Sequence, residues 1–329
     1  MKSLFLAVSL LGCGATPTSP PAKLSKPLET ASLTAITQGP GARWAIVGSP
    51  RAVFTGPLAP YANKLLPAAG LDKLRTRLGF DLRAASSALM VGFAATTVYG
   101  ARLPDGTAPS AALEAFEKRA IPPLERSTPR PDLVRVVGGL PSGTRGSAVG
   151  MWSPLGDAIV AESGRLGPAV AAMALAAGKL SPERALANDK TLGPLLRWGG
   201  SAEITLVARC PVAEAIGLQA TAGEKSNVLL QECLGVGVTF HSASAGKLTV
   251  TTRITGAWGK DAALAEDEVR ATIARVAESD VGRVLGFRDA KSEVHATSDA
   301  IDATLTLDAS VFADGLGRVL SQQIGDATK

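Results

Sequence analysis

Apolar positions along this chain switch between a period of two and a helical period, and they do so in the same order twice. In the first half, Arg43 to Gly48 is a short apolar run ended by Ser49-Pro50 and reads as a strand. Helical spacing follows from Pro57 to Leu78 and closes at Gly79. Strands are expected at Ala88–Ala94 and Thr97–Leu103, then a short helix over Ser110–Ala120. Further strands fall at Leu133–Val137, Ser147–Trp152 and Ala158–Glu162, before an alanine-rich helix over Pro168–Ala177. A proline-bearing helical stretch, Ser181 to Trp198, leads to the pair Gly199-Gly200, which reads as a joint.

The second half repeats the sequence of elements. Glu203–Ala208 is a strand ended by Cys210-Pro211, and Pro211 suits a first helical turn because its missing N–H would be unpaired there. Leu234, Val236, Val238 and Phe240 alternate with small or polar residues, as do Leu248, Val250, Thr252 and Ile254. That period marks two half-buried strands, with Ser242 to Gly246 as their hairpin loop. Asp261 to Ala277 is a helix with Ala262, Ala265, Val269, Ile273 and Val276 on one stripe. Acidic residues sit early in it and Arg270 and Arg275 late, which complements the helix dipole. Strands at Val281–Phe287, Glu293–Thr297 and Ile301–Leu307 follow, then a terminal helix from Ser310 to Gln322.

Both halves therefore read β-α-β-β-α-β-β-β-α. Landmarks correspond: Trp44-Ala45-Ile46-Val47 answers Ile204-Thr205-Leu206-Val207, and Val136-Val137-Gly138 answers Val284-Leu285-Gly286. The first six elements match the order of a split β-α-β unit, so the expected class is α+β, with two tandem units, each built on a ferredoxin-like core and packed side by side. The units span residues 41–200 and 201–329. With Leu78-Gly79-Phe80-Asp81, the pattern loosely resembles duplicated α+β envelope proteins of bacteria.

Composition fits a folded chain: 46% hydrophobic and 19% charged residues in 329. The formal charge of +5 is a small excess for this length. No lysine or arginine cluster with interleaved aromatics occurs, which argues against a nucleic-acid partner.

The first residues carry the sharpest motif. Met1-Lys2 is followed by an apolar stretch, Ser3 to Leu11, and by Gly12-Cys13. About nine apolar residues fall far short of the roughly 20 that span a bilayer, so this is a signal-peptide core. The arrangement resembles the lipobox of bacterial lipoproteins. The resemblance implies cleavage after residue 12, a lipid on the Cys13 thiol and an acylated amino terminus. Gly14 stands where an aspartate would retain the protein at the inner membrane, which implies the outer membrane, with the body in the periplasm or at the cell surface. Residues 13–40 then hold the lipidated cysteine and a tether rich in proline, serine and threonine.

Assigning Cys13 to lipid leaves Cys210 and Cys233 as an even pair in an oxidising compartment, a disulfide candidate. One geometric objection stands against it. In a split β-α-β core the first two strands are parallel, so the end of one and the start of the next lie at opposite sheet edges, beyond disulfide reach.

Candidate chemistry is sparse. The two histidines, His241 and His295, each fall on the polar face of a strand, and no cluster at ligand spacing supports a metal site. The stretch His241 to Lys247 lacks the first glycine and the final hydroxyl of a phosphate loop, and a hairpin explains its serines and Gly246. No Gly-x-Ser-x-Gly occurs, and Gly138 to Gly143 reads as a turn. Glu266-Asp267-Glu268 and Asp299 with Asp302 are explained by a helix start and a turn into a strand. Trp44, Trp152, Trp198 and Trp258 read as core or rim rather than a sugar platform.

The expectation is a membrane-anchored, non-catalytic binding or scaffold protein of the cell envelope, without cofactor, held to the membrane through the lipid on Cys13 and meeting an envelope protein or glycan. Two alternatives remain: a hydrolase using carboxylates at the cleft between the units, and a carrier of a lipid or other apolar ligand. An apolar cavity of several hundred cubic ångströms favours the carrier; a filled core excludes it.

Overall fold

A computed structural model describes residues 32–130, 133–139, 148–155, 157–164, 167–211, 232–244 and 246–328. The lipobox with Cys13, most of the tether, the helix expected after Pro211, and residues 140–143 of the expected turn lie outside these.

The chain begins with the short helix α1 (Leu33–Ile36), capped by the Ser32 hydroxyl, which accepts the Ala35 N–H. Strand β1 (Trp44–Gly48) runs into α2 (Pro50–Thr55), where Ser49 caps and Pro50 occupies the first turn. Helices α3 (Ala59–Leu65) and α4 (Ala68–Leu78) follow. Helix α4 stops at Gly79, whose φ of 76° is the left-handed conformation that a side chain disfavours. Then come β2 (Ser87–Gly92), β3 (Thr96–Arg102), α5 (Pro109–Glu117), β4 (Ile121–Arg130), β5 (Leu133–Gly139), β6 (Ala148–Leu155), β7 (Ala158–Gly164), α6 (Gly167–Ala176) and α7 (Leu192–Gly199). The second half carries β8 (Ile204–Arg209), β9 (Cys233–Ser244), β10 (Lys247–Gly256), α8 (Ala262–Glu278), α9 (Asp280–Val284), β11 (Lys291–Ala296), β12 (Ala300–Asp308) and α10 (Ala309–Thr328).

The twelve strands of the described residues join one sheet in the order β11-β12-β10-β9-β8-β1-β2-β3-β7-β6-β5-β4. Every adjacent pair is antiparallel. The protein is thus mixed α+β, organised on one large antiparallel sheet. Helices cover both faces. One face is packed by α1, α6 and α7 over a core that includes Ile36, Ala45, Val91, Val160, Leu192 and Val207. The other carries α2 to α5 and α8 to α10, over a cluster around Phe116 in the first half and two clusters, around Ile301 and Leu307, in the second. Helix α3 packs on α10, and Leu58 and Tyr61 lie against Phe240 and Phe312 territory, so helices of the first half reach over strands of the second.

This topology differs from the expected ferredoxin-like order. In a split β-α-β unit a third strand separates the first two. Here β1 and β2 are direct antiparallel neighbours, Ile46 opposite Met90, although three helices connect them. The turn after Gly92 is too short for a crossover, so β3 folds straight back on β2, Val98 opposite Val91.

Two local expectations are also corrected. Val281–Phe287 is not a strand. It begins as α9, whose first turn is capped by the Ser279 hydroxyl accepting the Gly282 N–H, and it ends at Gly286 with a φ of 76°. Val284 therefore does not answer Val136. Strand β4 was not expected because Pro122 and Pro123 interrupt it. It is the outermost strand, where proline costs no ladder bond on the free side. By contrast, the helix expected at Asp261–Ala277 and the strands at Glu293–Thr297 and Ile301–Leu307 are present within a residue or two.

Three tryptophans find their places on glycines. A Cβ at Gly92 would fall 2.1 Å from the Trp44 ring, one at Gly237 would fall 3.0 Å from Trp198, and one at Gly256 would fall 2.5 Å from Trp258. Each indole lies close against a glycine where a side chain would collide with it, and Trp258 is buried. They occupy different parts of the sheet and do not share a groove.

Candidate functional site

Cys210 and Cys233 form a disulfide, with their Cα atoms 5.7 Å apart. The objection to it fell with the split β-α-β order. Strands β8 and β9 pair directly, Arg209 opposite Gly235, so the end of one strand lies beside the start of the next. The Cys210 N–H also donates to the Leu234 carbonyl at 3.1 Å.

An apolar concavity lies between the sheet and the helices α2, α3 and α4. Its volume is about 550 Å³. The floor is made by β1, β2, β3 and β7 through Ile46, Ala88, Met90, Ala101, Ile159 and Ala161, with Ile204 of β8 at one side. The roof is Val53 and Phe54 of α2, Ala62 and Leu65 of α3, and Leu66, Leu78, Phe80 and Leu82.

Register explains why the space exists. Gly48 stands opposite Ala88, Ala88 opposite Ala101, and Ala101 opposite Ile159. One strand-crossing row of the floor thus carries almost no side chain until Ile159. The roof helices α2 and α3 are short, six and seven residues. Protein interiors ordinarily contain few voids larger than a water molecule. Small-molecule sites are commonly concave spaces of this size with apolar walls. Tyr99, 45% exposed, belongs to the lining and brings the phenol to the rim.

A second, smaller pocket of about 370 Å³ lies at the same end of β1. Its character is different: Thr34, Ser49, Ser86, Ser87, Ser201 and Thr205 supply hydroxyls and Arg197 a guanidinium. Arg197 is exposed and donates through Nη1 to the Ala187 carbonyl at 2.7 Å. Gly48 and Ser49 line both spaces.

The residues weighed for chemistry are placed elsewhere. At the start of β8 the Glu203 carboxylate accepts the Ser242 hydroxyl at 2.7 Å and stands 3.6 Å from Nδ1 of His241. The serine bonds the carboxylate rather than the imidazole, so the trio lacks the serine–histidine–carboxylate order of a triad. His295 is exposed on β11, opposite Asp302. Asp302 itself is held by a bidentate pair with Arg253, whose guanidinium lies 5.2 Å from the centre of the Trp198 ring. Glu266 pairs with Arg270 at 2.6 Å and accepts the Ala296 N–H, a helix-to-sheet tie. Arg270 beside it holds the Glu266 carboxyl below its usual range. Among the described residues no group of three or more His, Cys, Asp or Glu could hold a metal ion.

One buried carboxylate escaped the sequence reading. Glu162 on β7 is fully buried and accepts the Thr96 hydroxyl at 2.7 Å. It follows Val160 on the sheet face away from the cavity, and alternation alone would have marked that position as inward. The cavity was likewise unannounced in the sequence; its one signal is the run of alanines and glycines at inward-facing strand positions. No helix among the described residues is long and apolar enough to cross a membrane. No protein family, no curated protein and no solved structure matches the chain.

Proposed function

We propose that this protein binds an apolar ligand in the cell envelope, as a lipoprotein held to the outer membrane through Cys13. The observation that carries the binding reading is the cavity of about 550 Å³ between α2–α4 and the sheet, walled almost entirely by aliphatic and aromatic side chains. At about 30 Å³ for each water-sized group, that space takes one hydrocarbon chain of about 18 carbons. The lipobox-like Met1-to-Cys13 segment supports the anchor. A tether from Cys13 would keep such a site close to the membrane from which an apolar molecule is taken.

The tandem reading of residues 41–200 and 201–329 belongs to the same proposal. Its support is the palindromic run β6-β7-β3-β2-β1-β8-β9-β10-β12-β11, in which each half repeats the other's connections outward from the central pair. The cavity lies beside that seam, with Ile46 from one half and Ile204 from the other in its wall.

Two measurements test the proposal. The purified chain should bind a fluorescent fatty acid with one site per molecule, and Ala88→Phe, which fills the floor, should abolish that binding while the far-UV spectrum stays unchanged. Retained binding in the variant would remove the cavity from the account. In cells, Cys13→Ser should move the protein from the membrane pellet to the soluble fraction; a variant that still pellets would remove the anchor.

A further inference from the structure

Building on the reading of the cavity as a ligand site, we infer that the ligand is an anionic amphiphile whose headgroup lies against Arg197 while its chain fills the cavity. The two spaces differ in chemistry and meet at one place. The first is apolar. The second presents hydroxyls and one guanidinium. Gly48 and Ser49, at the end of β1, form part of both walls. The sheet stops there: β1 ends at Gly48, β2 begins at Ser87 and β8 begins at Ile204. Past those ends the Ser49 N–H is still held by the Glu203 carbonyl and the Arg51 N–H by the Ala85 carbonyl, so a ligand reaching both faces passes outside them, over the turn into α2.

The polar pocket has donors to offer. Ser49 is occupied, donating to the Ser86 carbonyl at 3.0 Å and capping α2. Arg197 uses Nη1 on the Ala187 carbonyl, which fixes the guanidinium and leaves its remaining N–H groups directed elsewhere. An arginine that shares a pocket lining with hydroxyls suits a carboxylate or phosphate through charge-assisted bonds. No carboxylate lines this pocket, so nothing there competes with an anion. A wholly apolar ligand would use none of these groups, whereas a single-chain lipid with an anionic head would use both spaces.

The experiment titrates the full chain with palmitate, a palmitoyl lysophospholipid of net negative charge, and hexadecanol as the uncharged control. Arg197→Ala should weaken both anions about tenfold, the loss of one charged hydrogen bond, and leave hexadecanol unchanged. In the native protein, added salt should weaken the anions and not the alcohol. The tighter of the two anions identifies a free acid or a lysophospholipid as the source of the head. Equal loss for all three ligands, or an anion affinity indifferent to both Arg197 and salt, would overturn the headgroup assignment. The cavity reading fails separately, if Ala88→Phe leaves hexadecanol binding intact.

Discussion

Ile46 and Leu206 stand opposite one another in the β1–β8 pair, and the strand pairings outward from them match on either side. Trp44 meets Gly92 of β2 as Ile204 meets Phe240 of β9. Thr97 meets Ser163 of β7 as Val250 meets Leu305 of β12. The strand order outward from β1 and β8 is the same on either side, and the β1–β8 pair continues the sheet across the seam. Ala45 and Val207, paired across that seam, are fully buried beneath α7 and its neighbours. The seam is therefore core rather than a surface contact between separate bodies. The cavity beside it inherits rigid walls from the sheet and a roof of short helices.

The disulfide closes a loop with a sequence separation of 23. In the chain-entropy account such a closure stabilises by about 3 kcal/mol. Denaturant unfolding of the double variant Cys210→Ser, Cys233→Ser should show that loss, and a reductant should produce the same midpoint shift in the native chain and none in the variant. A reductant-insensitive native protein would mean that the two thiols are free.

Gly79 should be intolerant of any side chain. Its φ of 76° disfavours one, and a Cβ there would fall 2.3 Å from the Ala111 carbonyl oxygen of α5. Neither backbone can move without separating α4 from α5. Gly79→Ala should cost about 2 kcal/mol or more, measured by thermal unfolding. Gly106, also left-handed but with nothing within 4 Å of its Cβ position, should lose less on the same substitution.

The two kinds of element were unequally legible in the sequence. Strand β10 and helix α8 could be read because period and length agree: Leu248 to Ile254 alternates, and the Ala262–Glu278 stripe is long enough to leave no strand alternative. Val281 to Phe287 could not, because a short apolar run fits strand and helix equally, and the deciding feature is the Ser279 cap. Topology was beyond reach for another reason. Whether β2 pairs with β1 directly depends on contacts far apart in the chain, and the helices between them are compatible with either answer. The cavity depends on which strands sit side by side, since Ala88 and Ala101 leave a void only once β2 and β3 place them in one row. Arg197 was passed over because a lone arginine in a helix carries no motif.

Acid should destabilise the fold through carboxylates that its hydrogen bonds hold in the charged form. The Arg83 side chain, bonded to Asp81, lowers that carboxyl, and the Val311 N–H at the start of α10 does the same for Asp308. A folded-state value below the unfolded one contributes stability that is complete above the ordinary carboxylate range and is lost as pH falls through the lowered value. Thermal midpoints should be flat at neutral pH and fall below about pH 4. Asp308→Asn keeps a capping side chain but removes its titration, so the acid limb of the curve should become shallower. A variant that follows the native curve at every pH would deny Asp308 its share.

Filling the cavity and emptying the neighbouring core should move stability in opposite directions. Phe116 of α5 is 1% exposed, in the cluster with Phe80, Ala101 and Ile159, three residues that also line the cavity. Phe116→Ala should cost about 3–5 kcal/mol, transfer and cavity terms together. Ala88→Phe adds a ring where the structure holds space, and cavity filling commonly raises stability by about 0.5–2 kcal/mol. A chain selected for stability alone would not leave that gain unused at Ala88 while packing Phe116 tightly next door. The combination of a higher unfolding midpoint and lost ligand binding in Ala88→Phe is what a retained binding site requires. A lower midpoint in Ala88→Phe, comparable to that of Phe116→Ala, would show instead that the floor is already packed to its limit.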